Sequence, residues 1–496
     1  MKIKFKGIFL ILLFFAAAAS ASAVEIKSEI SGLLSKKISN PSEVSELSVS
    51  GVIDAEDLYF IGKELVNLTT LDLSEAEIVE TKNVRINGSH SYAANTIPAG
   101  AFSGLPLKTV VFPTQPDLRI ESGAFLGTEL EEISFPGNVV YVGAGAFASS
   151  ALKTVTLPGE KCTMGENVFS DCKNLEKVNV GTASEIAAGT FRNCPQIAVV
   201  EGSENLVAIG DCAFEGAVSL TEFDFGKNLA TLGERSFAGT GLKEANLENT
   251  KLTKVDPLVF AHTKVEKVLL PEDIAEIGQG AFFGAASLTG VELPDNVSVI
   301  GDHSFVGGNL TSLGLSSGLE EIGAYALKDQ KQVKELILPA SLKYIGDYAM
   351  EGMTGLETIH GEALTSVPEL GEKVWEGVDQ SEVKLYVQND FAGDFETTPQ
   401  WEDFNIIFTD GVNDVTDDSL QHQIRGRFVG TQLQIESKAQ DIEEVNLFDV
   451  SGRLLASSKP AQKFVTMETA PFPGGVFVIT VTLSDKVSAT LKLARR

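Results

Sequence analysis

The sequence predicts a right-handed solenoid of short parallel strands with little helix, followed by a small antiparallel β-sandwich. Three observations carry this prediction. An aromatic residue recurs every 22 or 23 residues, an apolar L-x-x-V-x-L segment often ends in proline, and the period stops near residue 388. The register residues are Phe102, Phe125, Phe147, Phe169, Phe191, Phe214, Phe237, Phe260, Phe282, Phe305, Leu327, Met350 and Trp375, with a last spacing of 25.

One repeat, residues 277–294, shows what the pattern means physically. Val291 and Leu293 are two residues apart, so they share one face of a strand, and Pro294 ends that strand because it cannot donate to a ladder. Gly278 permits a turn, and Phe282 is predicted to point inward. One repeat cannot enclose its apolar groups, whereas stacked repeats build a continuous core. A period of roughly 20–29 residues with this pattern predicts a leucine-rich repeat solenoid with parallel strands on its concave face.

The N-terminus has the pattern of a secretory signal peptide over residues 1–23. Lys2, Lys4 and Lys6 precede an apolar segment at 8–19, and Ala21-Ser22-Ala23 fits a cleavage site. A membrane anchor is the weaker alternative, because the apolar segment has only about a dozen residues and no second apolar span follows. We therefore expect a protein without a transmembrane span that is secreted and located at the outer cell surface or outside the cell.

The remaining chain divides by composition into five further segments. Residues 24–97 are predicted to form an N-terminal cap and first irregular repeat, with a helix over 25–39 and a strand around Leu47. Regular repeats of 22–23 residues occupy 98–388 and end in a strand at 383–388, and a C-terminal cap follows over 389–408, where Trp401 and Phe404 supply bulk. An acidic linker covers 409–419. Alternation of polar and apolar residues then predicts the β-sandwich over 420–496.

The charge of the chain is strongly negative. The formal net charge is −29, and removal of the three signal-peptide lysines lowers it to −32. Such a surface repels nucleic acid, so no nucleic-acid partner is expected. The charge is explained by solubility of a large exported protein or by a dedicated binding role, and the first explanation is favoured.

The sequence offers no candidate for catalysis, cofactor binding or metal binding. The five histidines share no short spacing, and H-E-x-x-H, G-x-S-x-G and P-loop motifs are absent from the sequence. The four cysteines form no C-x-x-C pair, which leaves zinc unsupported. Cys172 and Cys194 occupy equivalent positions one repeat apart, where strand spacing of about 4.8 Å permits a disulfide. Buried free thiols are nevertheless favoured.

The candidate binding surface comes from the strands. In L-x-x-V-x-L, the residue between V and L faces outward, as does the one before V. On adjacent repeats these positions hold Glu201, Glu222, Asp224 and Glu244, which are predicted to form an acidic patch on the concave face. A patch for a basic protein partner is the functional hypothesis, and a solvated sheet face is the alternative.

Two families resemble this sequence. The segment I-G-D-C-A-F-E-G at 209–216 and the L-P endings are similar to the BspA-like leucine-rich repeats of bacterial surface proteins, over about residues 65–408. This resemblance implies export and adhesion to host proteins or cells. The segments at 445–455 and 474–493 resemble the sorting domain of type IX secretion substrates, which implies that residues 420–496 contact secretion machinery.

These observations favour an exported cell-surface protein that binds other macromolecules, such as host proteins, without catalysis. One alternative is a structural surface spacer with no specific ligand. Another is an enzyme or inhibitor with a site in the N-terminal region, where residues 81–95 form a polar excursion before the regular repeats.

Overall fold

A computed structural model describes residues 22–86, 89–409, 424–429, 432–437, 440–449, 453–469, 475–484 and 488–495. Most of the predicted signal peptide and nearly all of the predicted acidic linker lie outside these residues. The chain divides into two compact units, of which the first ends at Ile407 and the second begins at Phe408. Each unit has its own hydrophobic core.

The described elements are mostly short strands. The N-terminal elements are β1 (Ser22–Ser28), β2 (Val44–Ile53), α1 (Ala55–Glu64), β3 (Thr70–Ile78), β4 (Thr81–Ile86) and β5 (Ser89–Tyr92). The repeats contribute β6 (Thr96–Ile97), β7 (Thr109–Val111), β8 (Leu118–Ile120), β9 (Glu132–Ile133), β10 (Val139–Val142), β11 (Thr154–Thr156), β12 (Thr163–Met164), β13 (Lys177–Asn179), β14 (Glu185–Ile186), β15 (Val199–Glu201), β16 (Ala208–Ile209), β17 (Thr231–Leu232), β18 (Glu244–Asn246), β19 (Lys254–Val255), β20 (Lys267–Leu269), β21 (Glu276–Ile277), β22 (Gly290–Glu292), β23 (Val299–Ile300), β24 (Ser312–Gly314), β25 (Glu321–Ile322), β26 (Glu335–Ile337), β27 (Tyr344–Ile345), β28 (Thr358–His360) and β29 (Glu369–Leu370).

The repeats are followed by β30 (Lys384–Gln388), α2 (Ala392–Phe395) and β31 (Asn405–Thr409), and the division between the two units falls within β31. The second unit contains β32 (Ile424–Val429), β33 (Gln432–Ser437), β34 (Ile442–Asp449), β35 (Leu454–Ser458), β36 (Phe464–Glu468), β37 (Gly475–Leu483) and β38 (Ser488–Arg495). Single turns of 3₁₀ helix occur at Leu34–Lys36, Pro41–Glu43, Ser203–Asn205, Gln380–Glu382 and Asn389–Phe391.

The N-terminal cap differs from the prediction of a helix over 25–39. Its first part is β1, a strand that pairs in parallel with β2, and only a 3₁₀ turn follows. The apolar residues explain the difference, because Ile26 alternates with exposed residues and is buried against the sheet. Gly32, with φ of 75°, would also interrupt a helix in this stretch. The predicted strand around Leu47 is confirmed as part of β2.

The helix of the cap, α1, begins with a capping box that the sequence analysis did not identify. The Asp54 side chain accepts hydrogen bonds from the first turn, and Asp57 reaches back to the Asp54 amide. The Asp57 carboxylate also accepts hydrogen bonds from the amides of Gly32 and Leu34, at 2.7 and 2.8 Å. Burial raises the pKa of Asp57, although these amides oppose that shift. One carboxylate therefore holds the chain after β1 against α1.

The repeats form two ladders of strands. The L-x-x-V-x-L segments build the front ladder, defined by the sheets β1-β2-β3-β7, β9-β11-β13-β15, β18-β20, β22-β24 and β26-β28-β30-β31. The short strands that precede the turn of each repeat build the side ladder, defined by the sheets β6-β8-β10-β12, β14-β16-β17 and β19-β21-β23-β25-β27-β29. Parallel pairing joins equivalent residues of successive repeats, as in Ile277 with Ile300. The predicted parallel solenoid is therefore confirmed.

The glycine of each I-G pair begins the predicted turn, as at Gly278, whose carbonyl oxygen accepts a hydrogen bond from the Ala281 amide at 3.1 Å. A Cβ at Gly278 would lie 2.5 Å from the carbonyl oxygen of Val255 in the preceding repeat, and one at Gly301 would lie 2.7 Å from the Gln279 amide. Contacts that short would force the repeats apart. Glycine at this position therefore permits close approach of the backbones at the turn, where a side chain would clash, as predicted.

The core of the first unit is a column of phenylalanines. Phe102 to Phe305 of the predicted register are all buried, and consecutive ring centroids lie 5.1–6.1 Å apart. Phe282 is fully buried and stacks on Phe260 and Phe305, with ring planes 12° and 10° apart. The predicted register is confirmed by this column, because each repeat contributes one ring.

The four cysteines are unpaired. Cys172 and Cys194 are buried in neighbouring repeats, and their thiols donate to the carbonyl oxygens of Phe147 and Phe169, at 3.4 and 3.1 Å. A hydrogen bond to Cys172 and burial raise the pKa of the Cys194 thiol. The pair thus fills a small polar position beside the phenylalanine column.

The C-terminal end of the solenoid is closed by aromatic residues, as expected for Trp401 and Phe404. Both are buried, and their rings lie 5.5 and 5.0 Å from Trp375 of the register. The Trp401 indole N–H donates to the Pro368 carbonyl oxygen at 3.0 Å. The predicted last strand is not the last, because β31 follows β30 in the same sheet. The chain of the cap thus adds one further strand to the front ladder.

The second unit has the expected antiparallel architecture. One sheet has the order β32-β33-β36 and the other β35-β34-β37-β38, and neighbouring strands run antiparallel. Both sheets contribute to a single apolar core that includes Leu433, Val445 and Ile479. Alternate residues along β33 are buried, which is the pattern of a strand with one face on a core.

The phenylalanine column makes a prediction about stability. Phe282→Ala is expected to lower the free energy of unfolding of the first unit by about 3–5 kcal/mol, because it leaves a cavity between two stacked rings. Phe283→Ala is the matched control, since the same truncation one residue away removes a partly exposed ring. Reversible urea denaturation measures both. A loss below about 1 kcal/mol at Phe282 would contradict the assigned core position.

The thiol geometry makes a second prediction. Iodoacetamide added under denaturing, non-reducing conditions should alkylate all four cysteines, whereas Cys194 should react slowly in the folded protein because its thiol is buried and its pKa is raised. Peptide mass spectrometry measures both reactions, with a reduced sample as the control. A Cys172–Cys194 cross-linked peptide in the unreduced sample would be the opposite result.

Candidate functional site

The front ladder positions the predicted acidic patch. Glu201 ends β15 and lies in register with Asn179 of β13, which in turn pairs with Thr156 of β11. Glu244 begins β18, in register with Lys267 of β20. The register places equivalent positions of successive repeats side by side. The outward-facing residues predicted from the sequence therefore form rows along these strands. All four patch residues are exposed.

The four carboxylates differ in their electrostatic partners. Glu201 lies 2.6 Å from the Lys177 ammonium, and Glu244 lies 3.4 Å from the Lys267 ammonium. Exposed ion pairs of this kind contribute only about 0.2–1 kcal/mol to stability, but they neutralise local charge. Within the described part of the chain, Glu222 and Asp224 form no ion pair. The uncompensated negative charge of the patch is therefore centred on these two residues.

Glu222 and Asp224 lie on a segment, residues 221–226, that forms no strand. This segment occupies the place between β15 and β18 where a front-ladder strand is expected. Across the described residues, no backbone hydrogen bond joins 198–202 to 221–226, although the Lys243 amide still donates to the Thr221 carbonyl oxygen at 3.2 Å. The front ladder is thus interrupted at this segment, which pairs as a strand with neither β15 nor β18.

A groove of about 860 Å³ lies at the interruption. Its walls come from three successive repeats and combine carboxylates, amides and phenyl rings. The lining residues are Ala198, Val199, Val200, Glu204, Asn205, Glu222, Phe223, Asp224, Phe225, Gly226, Lys227, Asn228, Asn246 and Asn249. The groove therefore includes two of the predicted patch residues, and Glu201 and Glu244 are not among its lining.

The side chain of Phe223 accounts for the local shape. At the equivalent inward position, neighbouring repeats carry Val178, Val200 and Ala245, which are all smaller. The Phe223 ring packs against the register ring Phe237 at a centroid distance of 4.9 Å. Since the column already fills the interior, a second large ring needs space that a regular strand would occupy. We attribute the missing strand at 221–226 to this crowding.

The charged residues of this region were predicted from the sequence, whereas the groove was not. The signal was present, because F-D-F at 223–225 replaces the usual pattern of an aliphatic residue on each side of the outward position. Phe225 packs on Phe223 at 4.9 Å and on Phe237 at 5.2 Å. Two aromatic rings in one strand segment indicate a repeat that departs from regular packing.

No metal site is found among the described residues. They contain no group of three or more His, Cys, Asp and Glu side chains that could hold a metal ion. His360 lies 3.2 Å from Glu335 and 3.0 Å from Glu362, which is the geometry of an ion pair on the sheet surface. In the N-terminal excursion, β4 and β5 pair antiparallel. In the part of the chain that the structure describes, no helix has the length and apolar character needed to cross a membrane.

A known structure shares this architecture. A leucine-rich repeat protein from Bacteroides ovatus is similar over 74% of this chain and 88% of that chain, with 20% sequence identity and a TM-score of 0.55. This likeness shows the fold. A leucine rich cell surface protein from Faecalibacterium prausnitzii aligns with 16% identity and a TM-score of 0.32, over 56% of this chain and 86% of that chain. The pneumococcal vaccine antigen PcpA aligns with 19% identity and a TM-score of 0.31, over 74% and 80%.

The sequence comparisons define the family. No curated protein matches the chain. A family profile described as BspA type leucine rich repeat region, in six copies, matches residues 95–200, 184–307 and 253–380. Together these segments span 95–380, more than half of the 496 residues. Solenoids of this kind are typically binding scaffolds that present an extended surface to other proteins. The chain belongs to the BspA-type leucine-rich repeat family.

Proposed function

We propose that this protein is exported, is located at the outer cell surface or outside the cell, and binds protein partners there without catalysis. The proposed binding surface is the front face of the solenoid, with the acidic patch of Glu201, Glu222, Asp224 and Glu244 at its centre. The observation that carries the proposal is the pair of uncompensated carboxylates, Glu222 and Asp224, beside a groove where one repeat of the front ladder lacks a strand.

The physical basis is complementarity with a basic partner. A partner that presents lysine or arginine to the patch would meet negative charge that no lysine of the described chain neutralises at Glu222 or Asp224. Charge complementarity of this kind raises association rates and selects partners more than it raises affinity. The net charge of −29 adds long-range attraction for a basic protein and repulsion for nucleic acid.

The proposal for export depends on the two ends of the chain. The signal-peptide pattern over residues 1–23 supports entry into a secretory route. The second unit supports a separate role in delivery, since it has its own core and lacks the repeat period. We assign to residues 420–496 a sorting function at the outer membrane, which would leave the solenoid free to bind partners.

The binding proposal predicts a charge effect. Replacing Glu201, Glu222, Asp224 and Glu244 together by Gln should weaken binding to a basic extracellular-matrix protein about tenfold and flatten its salt dependence, because exposed attraction is screened over about 8–10 Å at physiological salt. Biolayer interferometry against immobilised, purified matrix proteins at several salt concentrations measures both effects.

The matched control replaces four exposed side-ladder carboxylates, Glu185, Glu276, Glu321 and Glu369, by Gln. It changes the net charge equally and leaves the front face intact. If both variants weaken binding equally, the effect belongs to net charge. If the front-face variant binds like the native protein, the patch has only a solubility role.

The export proposal predicts that delivery and binding are separable. A variant that ends at Thr409 should retain partner binding in vitro, since the core of the first unit stays complete, but should accumulate behind the outer membrane of the native cell. Surface antibody labelling of intact cells, with lysed cells as the control for expression, measures delivery. Normal surface labelling of the truncated protein would indicate that the second unit is a binding module instead.

A further inference from the structure

We propose that the groove between β15 and residues 221–226 binds an extended peptide segment that carries an arginine or lysine. This inference rests on the proposed protein-binding function and specifies the conformation and charge of the partner segment at one place. It depends on three properties of the groove, namely its unpaired backbone groups, its apolar surface and its charge.

The backbone argument starts from β15. The Val199 amide donates to the Glu176 carbonyl oxygen at 3.3 Å, and the Glu201 carbonyl oxygen accepts from the Val180 amide at 2.8 Å. Both residues therefore direct their backbone groups toward β13. Successive residues of a strand direct these groups to opposite sides, so the N–H and C=O of Val200 point toward the groove.

Where successive repeats pair, as β13 does with β15, the residue equivalent to Val200 is satisfied by the next strand. Here the segment 221–226 makes no backbone hydrogen bond to 198–202 within the described residues. Val200 thus offers one donor and one acceptor at a strand edge inside the front ladder. An extended peptide supplies a carbonyl and an amide in the same geometry, which is how exposed strand edges recognise peptides. A sugar or a lone ammonium group would not supply both in register.

The apolar surface favours a peptide with side chains of moderate size. Val199 is 45% exposed at the rim, and the partly buried ring of Phe223 lines the groove. Alternate side chains of an extended segment point to the same side, so every second residue can contact these groups. The aliphatic stem of arginine or lysine also packs on such surfaces while its charged end stays in water.

The charge selects a basic segment. Glu204, Glu222 and Asp224 line the groove, against the single cation Lys227. A guanidinium group can form ion pairs with these carboxylates and can also lie against the face of the Phe223 ring. An acidic segment would add like charge at close range. The combination of strand-edge donors, an aromatic wall and excess carboxylate therefore fits an extended basic peptide better than an acidic peptide.

The experiment uses the full-length mature protein and a fluorescein-labelled nine-residue peptide of alternating valine and arginine. One control peptide replaces arginine by glutamate, and another carries N-methyl groups on its central amides, which removes backbone donors and keeps the charge. Fluorescence anisotropy should show binding of the first peptide, with at least about tenfold weaker binding of each control. Equal binding of the N-methylated peptide would overturn the backbone part of the proposal.

Hydrogen exchange reports directly on Val200. In the free protein, its amide should exchange at least about tenfold faster than that of Val178, which lies in register with it inside the ladder, and peptide binding should slow it by a similar factor. Mass spectrometry with residue-level fragmentation measures both amides. Equal protection of the two amides in the free protein would show that the ladder is closed, and would overturn the proposal without reference to any ligand.

Two variants complete the test. Phe223→Val restores the residue size found at Val178 and Val200, so it should protect the Val200 amide and reduce peptide affinity at least about tenfold. Phe135→Val is the control, because this ring is also partly buried but packs against Phe147, away from the groove. If Phe223→Val leaves both exchange and affinity unchanged, the groove is not the site. If the native protein binds the peptide but binds no matrix protein, the peptide site stands and only the proposed function is contradicted.

Discussion

The structure depends on one constraint: a single repeat exposes more apolar surface than it can bury. Each repeat contributes one register side chain, such as Phe282, whose burial is complete only when the repeats on both sides are present. Full burial of a side chain of this size stabilises by about 1.5–3 kcal/mol, so stability accumulates along the column. The C-terminal cap residues Trp401 and Phe404 and the N-terminal helix α1 are needed because the column would otherwise end in water.

The same constraint explains where function can arise. A column with a fixed ring spacing leaves little freedom for the inward positions of the front ladder, and most of these hold aliphatic residues. Phe223 breaks this regularity, and the chain around it leaves the sheet, which creates a groove beside Glu222 and Asp224. A departure from the repeat pattern thus gives this part of the front face its own shape and charge.

Periodicity predicts the repeated part of this fold because one interaction is copied many times. The column, the parallel register and the caps around Trp401 all follow from spacing and burial alone. The features of the fold that were not predicted are those that occur once and depend on local contacts in three dimensions. The segment after residue 24 contains helix-compatible residues but becomes β1 because an open sheet edge is available, and the Asp54–Asp57 capping box was overlooked. Likewise, the charges of the acidic patch were visible in the sequence, whereas its ion pairs with Lys177 and Lys267 and the adjoining groove depend on packing in three dimensions.

We infer that crowding at Phe223 opens the front ladder beside β15. A crystal structure of the mature protein, at a resolution that defines backbone carbonyls, would test this inference. We expect no backbone hydrogen bond between residues 198–202 and 221–226, and we expect the Glu222 and Asp224 carboxylates to lie beside the groove without a cationic partner. A continuous parallel ladder from β13 through residues 222–224 to β18 would contradict it.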